Sequence, residues 1–361
     1  MMGRIIKELT SRIRNGDPLP FPLHLMLWLA SCIQRFGMWL RLRKPPVKVP
    51  AYVISYGNIT AGGVGKTPAV IERAQKELVA GKQVAILTRG YGAASVKEPL
   101  LLAPQSSETT PNTSTENDET THLPNVHSVH TVHSSSSLSR NFGDEAVLIA
   151  KRAPGVWIVR SADRVAGARA AIEKGCEVLI MDDGFQAVAL ARDENILLID
   201  ATNPFGNGYL VPRGILREPL AAMRRATEIV LTRCDQASNT LDTIEETIRQ
   251  YAPDISIIRT QHKPTGLWRV HDGAEAPLSF LQDTPIRVVC GIGNPDAFCQ
   301  TLRELGADIK EVHSLSDHGE IPEALLDSKL PTIMTEKDAM RIAGVCSSEV
   351  YALAIKLDMF L

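Results

Sequence analysis

Residues 52–68 read Tyr-Val-Ile-Ser-Tyr-Gly-Asn-Ile-Thr-Ala-Gly-Gly-Val-Gly-Lys-Thr-Pro. Tyr52–Tyr56 is a short β-branched and aromatic run, and apolar residues at helical spacing follow from 68 to 80. A glycine-rich turn between a strand and a helix is the setting of a phosphate-binding loop. Glycines let the backbone N–H groups of Thr60, Ala61, Gly62, Gly63, Val64 and Gly65 converge on phosphate oxygens. The helix start adds positive partial charge. Lys66 would reach the β- and γ-phosphates, and the Thr67 hydroxyl would meet Mg²⁺. The strict pattern places Gly five residues before Gly65, where this chain has Thr60, so the loop is a variant form.

The rhythm continues on both sides of the loop. Val84–Thr88, Val156–Val159, Val178–Met181, Ile196–Ile199 and Ile229–Thr232 read as strands apolar on both faces. Helices are expected over 68–80, 144–152, 163–174 and 239–251. Strands apolar on both faces, alternating with helices, predict a doubly wound, mostly parallel α/β fold. Further on, Ile255–Thr260, Leu267–Val270, Ile286–Cys290, Ile333–Met334 and Val350–Ile355 read as strands around a helix at 295–305. The polar stretch from Thr232-Arg233-Cys234-Asp235 reads as a hinge. The expected organisation is an N-terminal helical segment over 1–48, a core over 49–250 and a smaller α/β unit over 251–361, part of it packing back on the core.

Of 361 residues, 44% are hydrophobic and 22% charged, which is ordinary for a globular chain. The net charge of −2 argues against a general nucleic-acid binder. Six scattered cysteines form no close zinc or disulfide spacing. Charge is unevenly placed: residues 1–48 carry nine basic and two acidic residues, leaving −9 on the rest. Phe21–Gln34 is uncharged, and Arg35 ends it too early for a membrane span, which needs about 20 apolar residues. No small-residue cleavage site follows it, so a secretory signal is a poor match. With Trp28 and Trp39 flanked by Arg and Lys, the segment reads as an amphipathic helix lying in a membrane interface. Residues 105–140 are dominated by Ser and Thr and read as a disordered insertion, since they cannot bury enough apolar surface. His127, His130 and His133 recur there without Cys or carboxylate support for a metal site.

Two acids end the apolar run Val178–Met181: Asp182 and Asp183, followed by Gly184, Phe185 and Gln186. Adjacent carboxylates at a strand's carboxyl end need a compensating cation, and a nucleotide-bound Mg²⁺ supplies one. Asp144 and Glu145 open a helix; Asp144 could cap it or accept a proton, and Glu145 could help hold Mg²⁺. Ser316-Asp317-His318-Gly319 offers a histidine that could tune a base. Arg89, Arg164, Arg213 and Arg217 sit in loops or at helix starts, where guanidinium forks suit phosphate.

GNITAGGVGKTP, LTRGYG, FGDE, DDGFQ, PRGILREP, GIGNP, SDHG and TEKDAMR occur in this order. In this the chain resembles the tetraacyldisaccharide 4′-kinase (lipid A 4′-kinase) family, from about residue 10 to 355 outside the polar insertion. The resemblance implies ATP-dependent phosphorylation of the 4′-hydroxyl of tetraacyldisaccharide 1-phosphate in lipid A biosynthesis, with ATP and Mg²⁺ as cofactors. It implies a peripheral or monotopic protein on the cytoplasmic face of the inner membrane, with that lipid and the membrane surface as partners and no obligate protein partner. By the same resemblance Asp144 is the catalytic base and His318 its dyad partner, with Lys66 and Asp182 also in the catalytic set. Thr67, Asp182, Asp183, Gln186 and Glu145 organise Mg-ATP, with the direct ligands left open. Arg89, Arg164, Arg213 and Arg217 meet the headgroup or its phosphate. Gly319 and Ala146 stand where the family usually has His and Pro. Two rivals share the loop: a P-loop kinase of a soluble small molecule, and a membrane-associated switch or partitioning ATPase. A GTPase is disfavoured, because Thr232-Arg233-Cys234-Asp235 lacks the guanine-reading Lys.

Overall fold

The computed structural model describes residues 12–13, 17, 20–90, 98–104, 129–130, 135–316, 319–327, 329–342, 346 and 349–360. Strands β1 (Tyr52–Gly57), β2 (Val84–Thr88), β3 (Leu100–Leu102), β4 (Val129–His130), β5 (Trp157–Arg160), β6 (Val178–Met181), β7 (Glu194–Asp200) and β8 (Glu228–Thr232) form its first half. The second half has β9 (Ser256–Arg269), β10 (Glu275–Ala276), β11 (Pro285–Cys290), β12 (Asp308–Ser314), β13 (Thr332–Thr335) and β14 (Val350–Met359). All belong to one sheet, in the order β12-β11-β13-β14-β9-β8-β7-β1-β6-β2-β5-β3-β4, with β10 paired to β9.

The run from β9 through β8, β7, β1, β6 and β2 to β5 is parallel. So is the run β14-β13-β11-β12. The two runs meet antiparallel at β9 and β14, where Thr260 lies opposite Met359 and Arg269 opposite Tyr351. Their carboxyl ends therefore point toward each other across the middle of β9. Ligands of open α/β sheets bind at carboxyl ends; here two sets of such ends border one cleft.

Successive residues of β1 bury into opposite layers, Val53 into one and Ile54 into the other. The Ile54 layer holds the helices Lys66–Val79 and Asp144–Arg152, and it runs on without a break to Met334, Met340 and Ala352 of the second half. On the other face the helices Arg164–Glu173 and Leu241–Tyr251 cover Leu179 and Leu197. A shared core thus fixes the two carboxyl-end sets against each other.

Three expectations need correction. The insertion was expected to be disordered to residue 140, yet Ser135–Phe142 is helical. Leu138 and Phe142, four residues apart, supply the apolar stripe that the Ser-rich composition hides, and both are buried. Residues 105–128 and 131–134 of that insertion lie outside the described residues. The expected hinge at Thr232–Asp235 is instead packed, with Thr232, Arg233 and Cys234 buried. The two strands expected over 255–270 are one strand of 14 residues. Pro264, which has no N–H to give a partner strand, is accommodated beside a register shift between Ala354 and Ile355 of β14.

The N-terminal helix Phe21–Leu42 leaves Phe21, Met26, Trp28, Leu29, Ile33, Phe36 and Trp39 exposed. It is pinned by the Ser31 hydroxyl, which donates to the Leu210 carbonyl at 2.9 Å, and by Gln34 Nε2, which donates to the Arg217 carbonyl at 3.1 Å. Among the described residues no helix is long and apolar enough to cross a membrane.

Candidate active site

β1 sits between β6 and β7, so the turn that follows it opens at the middle of the parallel run. Gly65 precedes the helix Lys66–Val79 at φ 84°, a left-handed conformation that glycine adopts without a Cβ penalty. The turn is braced on one side by residues 210–217: Ala61 N donates to the Ile215 carbonyl and Arg217 N to the Ile59 carbonyl, each at 2.6 Å. On the other side the Thr232 hydroxyl donates to the Val64 carbonyl at 3.0 Å, and Arg233 to the Gly63 carbonyl at 3.2 Å. Arg233 is itself ion-paired to Asp200 at 2.5 Å. From the second half, Gly293 lies so close that a Cβ there would stand 2.4 Å from Gly63 N.

Lys66 Nζ donates to Asn58 Oδ1 at 3.0 Å and lies 3.2 Å from Asp183 Oδ1. Asp183 also accepts from Arg217 at 2.9 and 2.8 Å. Burial alone would raise the Asp183 carboxyl, but Lys66 and Arg217 overcome it and hold the group down at about 2. Asp182 has the opposite environment. It is buried, and its Oδ1 has no hydrogen-bond partner. Burial first, then the Glu145 and Asp183 charges, push it up to about 7 against Lys66 and Arg164. Two neighbouring acids are thus held in different protonation regimes, a condition common at catalytic sites.

Asp144 opens its helix directly after Gly143 and lies 3.5 Å from Arg341 Nε. Glu145 beside it meets Lys337 Nζ at 3.0 Å. Gln186 Nε2 donates to the Asn58 carbonyl at 2.9 Å and to Glu218 at 3.0 Å, so in this structure it braces the loop. A cleft of about 430 Å³ opens beside these parts, and Asp144, Asp182 and Gln186 are not among the residues that line it. Gly62, Gly63, Val64, Gly65, Lys66 and Thr67 line it together with Glu145, Asp183 and Arg217. Thr60 and Ala61 lie behind it, paired with Leu216 and Ile215.

The predicted arginines divide. Arg217 reaches the cleft. Arg89 is exposed at the end of β2, Arg164 is buried and donates to the Ser161 carbonyl, and Arg213 stacks its guanidinium 3.4 Å from the Tyr209 ring centre. His318, the expected partner of Asp144, lies outside the described residues. Sequence reasoning gave no role to Arg233, His262, Asn294, Lys337 and Arg341. The first four line the cleft and Arg341 touches Asp144. For Asn294, Lys337 and Arg341 the stretches GIGNP and TEKDAMR were the available signal.

The residues fit a nucleotide-borne Mg²⁺. Asp182 presents a buried, unpartnered oxygen, with the Asp183 and Glu145 charges acting on it, and the Thr67 hydroxyl borders the same cleft as Asp183 and Glu145. Among the described residues no three His, Cys, Asp or Glu cluster closely enough to hold an ion alone. Phosphate oxygens would complete the coordination, as Mg²⁺ usually requires.

The buried acid predicts a trade of stability against activity. Because its folded-state value of about 7 lies above the ordinary carboxylate value, the folded state keeps a proton that the unfolded chain has lost. That window runs from about pH 4 to about pH 7. Stability from this group is full below it and falls as pH rises through the folded value. Asp182→Asn should therefore raise the stability of the nucleotide-free protein at pH 8 by on the order of 4 kcal/mol, and hardly at pH 4, while activity is lost. Thermal melts at the two pH values check this; equal melting temperatures at pH 8 would contradict it.

A parallel sheet, a glycine-rich turn after its central strand, a Lys at the following helix start and two acids after the neighbouring strand together define a P-loop NTPase-like α/β protein. A family model described as tetraacyldisaccharide-1-P 4′-kinase matches residues 19–125 and 121–360. The chain belongs to that family. It is 36% identical over 333 residues to the tetraacyldisaccharide 4′-kinase of Jannaschia sp. (strain CCS1), covering 90% of this chain and 87% of that one. It is 34% identical over 363 residues to that of Syntrophus aciditrophicus (strain SB), with 94% and 89% covered. The fold resembles the crystal structure of the "apo" form of LpxK from Aquifex aeolicus in complex with ATP. That likeness has a TM-score of 0.67 at 29% identity and covers 94% and 95% of the two chains.

Proposed function

We infer that the protein phosphorylates the 4′-hydroxyl of tetraacyldisaccharide 1-phosphate, using ATP, as a step of lipid A biosynthesis. The observation that carries this reading is the meeting of Glu145, next to Asp144, with the Gly62–Thr67 turn in one cleft. ATP binds with its phosphates on the loop N–H groups. Lys66, aimed by Asn58 and Asp183, stabilises the charge that spreads over the transferring phosphoryl group. Thr67 and Asp182, with Glu145 and Asp183 at hand, would hold Mg²⁺, which when bound would supply charge neutralisation on the triphosphate. Asp144 takes the proton from the attacking hydroxyl, and Arg341 fixes the carboxylate's orientation. His318 is assigned to tune that carboxylate. Arg89, Arg164 and Arg213, with Arg217, are assigned to the headgroup.

The helix Phe21–Leu42 supports a location at the cytoplasmic face of the inner membrane. Its exposed Trp, Phe and Ile side chains suit the acyl boundary, and Arg35, Arg41, Arg43 and Lys44 suit anionic headgroups. Gln34 ties this helix to Arg217, whose side chain holds Asp183, so the lipid-facing element and the nucleotide site share a residue.

The reading is tested with γ-labelled ATP and a Gram-negative lipid precursor extract, with co-flotation on phosphatidylglycerol vesicles as the second arm. Label is expected in a lipid whose 4′-position carries it, and the wild type should float while a Trp28→Glu/Trp39→Glu variant stays below. Label confined to a water-soluble product would favour the soluble-substrate kinase. Free phosphate alone would favour the switch ATPase.

A further inference from the structure

Lys337 follows β13 by two residues and enters the cleft from the second half of the sheet. Its Nζ lies 3.0 Å from Glu145 Oε1, and its side chain is only 16% exposed. The other cations of the cleft have settled partners within their own half. Lys66 and Arg217 share Asp183, and Arg233 holds Asp200. Lys337 instead forms its ion pair with an acid of the opposite half, and that acid is one assigned above to the nucleotide's Mg²⁺.

We propose that Lys337 is a second nucleotide-contacting lysine, which exchanges Glu145 for the terminal phosphate of ATP and faces Lys66 across the cleft. The proposal rests on the ATP reading given above. Glu145 adjoins Asp144, where the acceptor hydroxyl must arrive, so the phosphate nearest Glu145 is the one transferred. Exchanging one ion pair for another avoids leaving a half-buried cation uncompensated, and a flexible four-carbon stem allows the move. An ammonium–phosphate hydrogen bond is charge-assisted on both sides. The triphosphate is then gripped by a lysine following β1 and a lysine following β13, one from each half-sheet.

The test is calorimetric titration of the wild type, Lys337→Ala, Lys337→Arg and Lys66→Ala with the non-hydrolysable triphosphate AMP-PNP and with ADP, in Mg²⁺. Lys337→Ala should weaken AMP-PNP roughly tenfold and ADP by no more than about twofold, and Lys337→Arg should regain most of the loss. Unchanged AMP-PNP affinity in Lys337→Ala overturns the proposal, even if the melting temperature falls, since that outcome describes a structural ion pair only. Equal losses for the two nucleotides also overturn it. A wild type that binds neither nucleotide removes the ATP reading, and this proposal with it. Binding by the wild type, lost in Lys66→Ala but intact in Lys337→Ala, removes only Lys337. If Lys337→Ala does not fold, Lys337→Gln, which keeps the stem and drops the charge, takes its place in the same measurement.

Discussion

Lys66→Ala is expected to lower kcat by roughly 10²- to 10³-fold, the range found when one preorganised donor to a developing charge is removed. The side chain is placed for that role. It starts the helix Lys66–Val79 and is drawn to one position by Asn58 at 3.0 Å and Asp183 at 3.2 Å. The fold should survive the change. Asp183 keeps both contacts to Arg217, so no buried carboxylate is orphaned, and alanine suits a first helical turn. Turnover with labelled ATP is measured beside the melting temperature. A folded variant with wild-type turnover would remove Lys66 from the chemistry.

Asp144→Asn should cost roughly 10²- to 10⁴-fold in kcat, the usual contribution of a positioned general base. Nucleotide affinity should hardly move, because Asp144 does not border the cleft and the phosphate turn is untouched. Asparagine keeps the shape, and the helix start loses no side-chain cap, because its cap residue is Gly143. Arg341 loses one carboxylate but retains its contacts to Asp338 and the Gly319 carbonyl. Single-turnover kinetics with AMP-PNP binding as the control separates the two effects. A variant that binds nucleotide like the wild type and still turns over normally would falsify the base assignment.

The parallel core was legible because its strands are buried on both faces and its turns carry glycine at their ends. Val84–Thr88, Val178–Met181 and the helix at 144–152 were read to the residue. β12 was missed for the converse reason: it is an edge strand whose Asp308, Lys310 and Glu311 face outward, so it reads as polar loop. β9 was read as two strands, Ile255–Thr260 and Leu267–Val270, on either side of the polar Gln261-His262-Lys263-Pro264. Only the antiparallel partner β14, about a hundred residues later, carries the strand across it. The nucleotide side of the site was readable because one local stretch encodes it. The opposing wall was not. Lys337 and Arg341 acquire meaning only when the second half-sheet faces the first, and nothing local marks that meeting. The same holds for Arg233, whose bond to the Gly63 carbonyl spans 170 residues of chain.

β14 lies between β9 and β13 and is the last strand described. Without it β13 and β11 have no strand linking them to β9, and the second half meets the first near the phosphate turn through side-chain bonds such as those of Asn294 Nδ2 to Asp200 and Thr202. A nascent chain can complete its first half-sheet early and still hold only one wall of the cleft. A chain cut before β14 would therefore lose the strand that ties the β13-β11-β12 run to β9, together with the cleft residues Leu353 and Ile355.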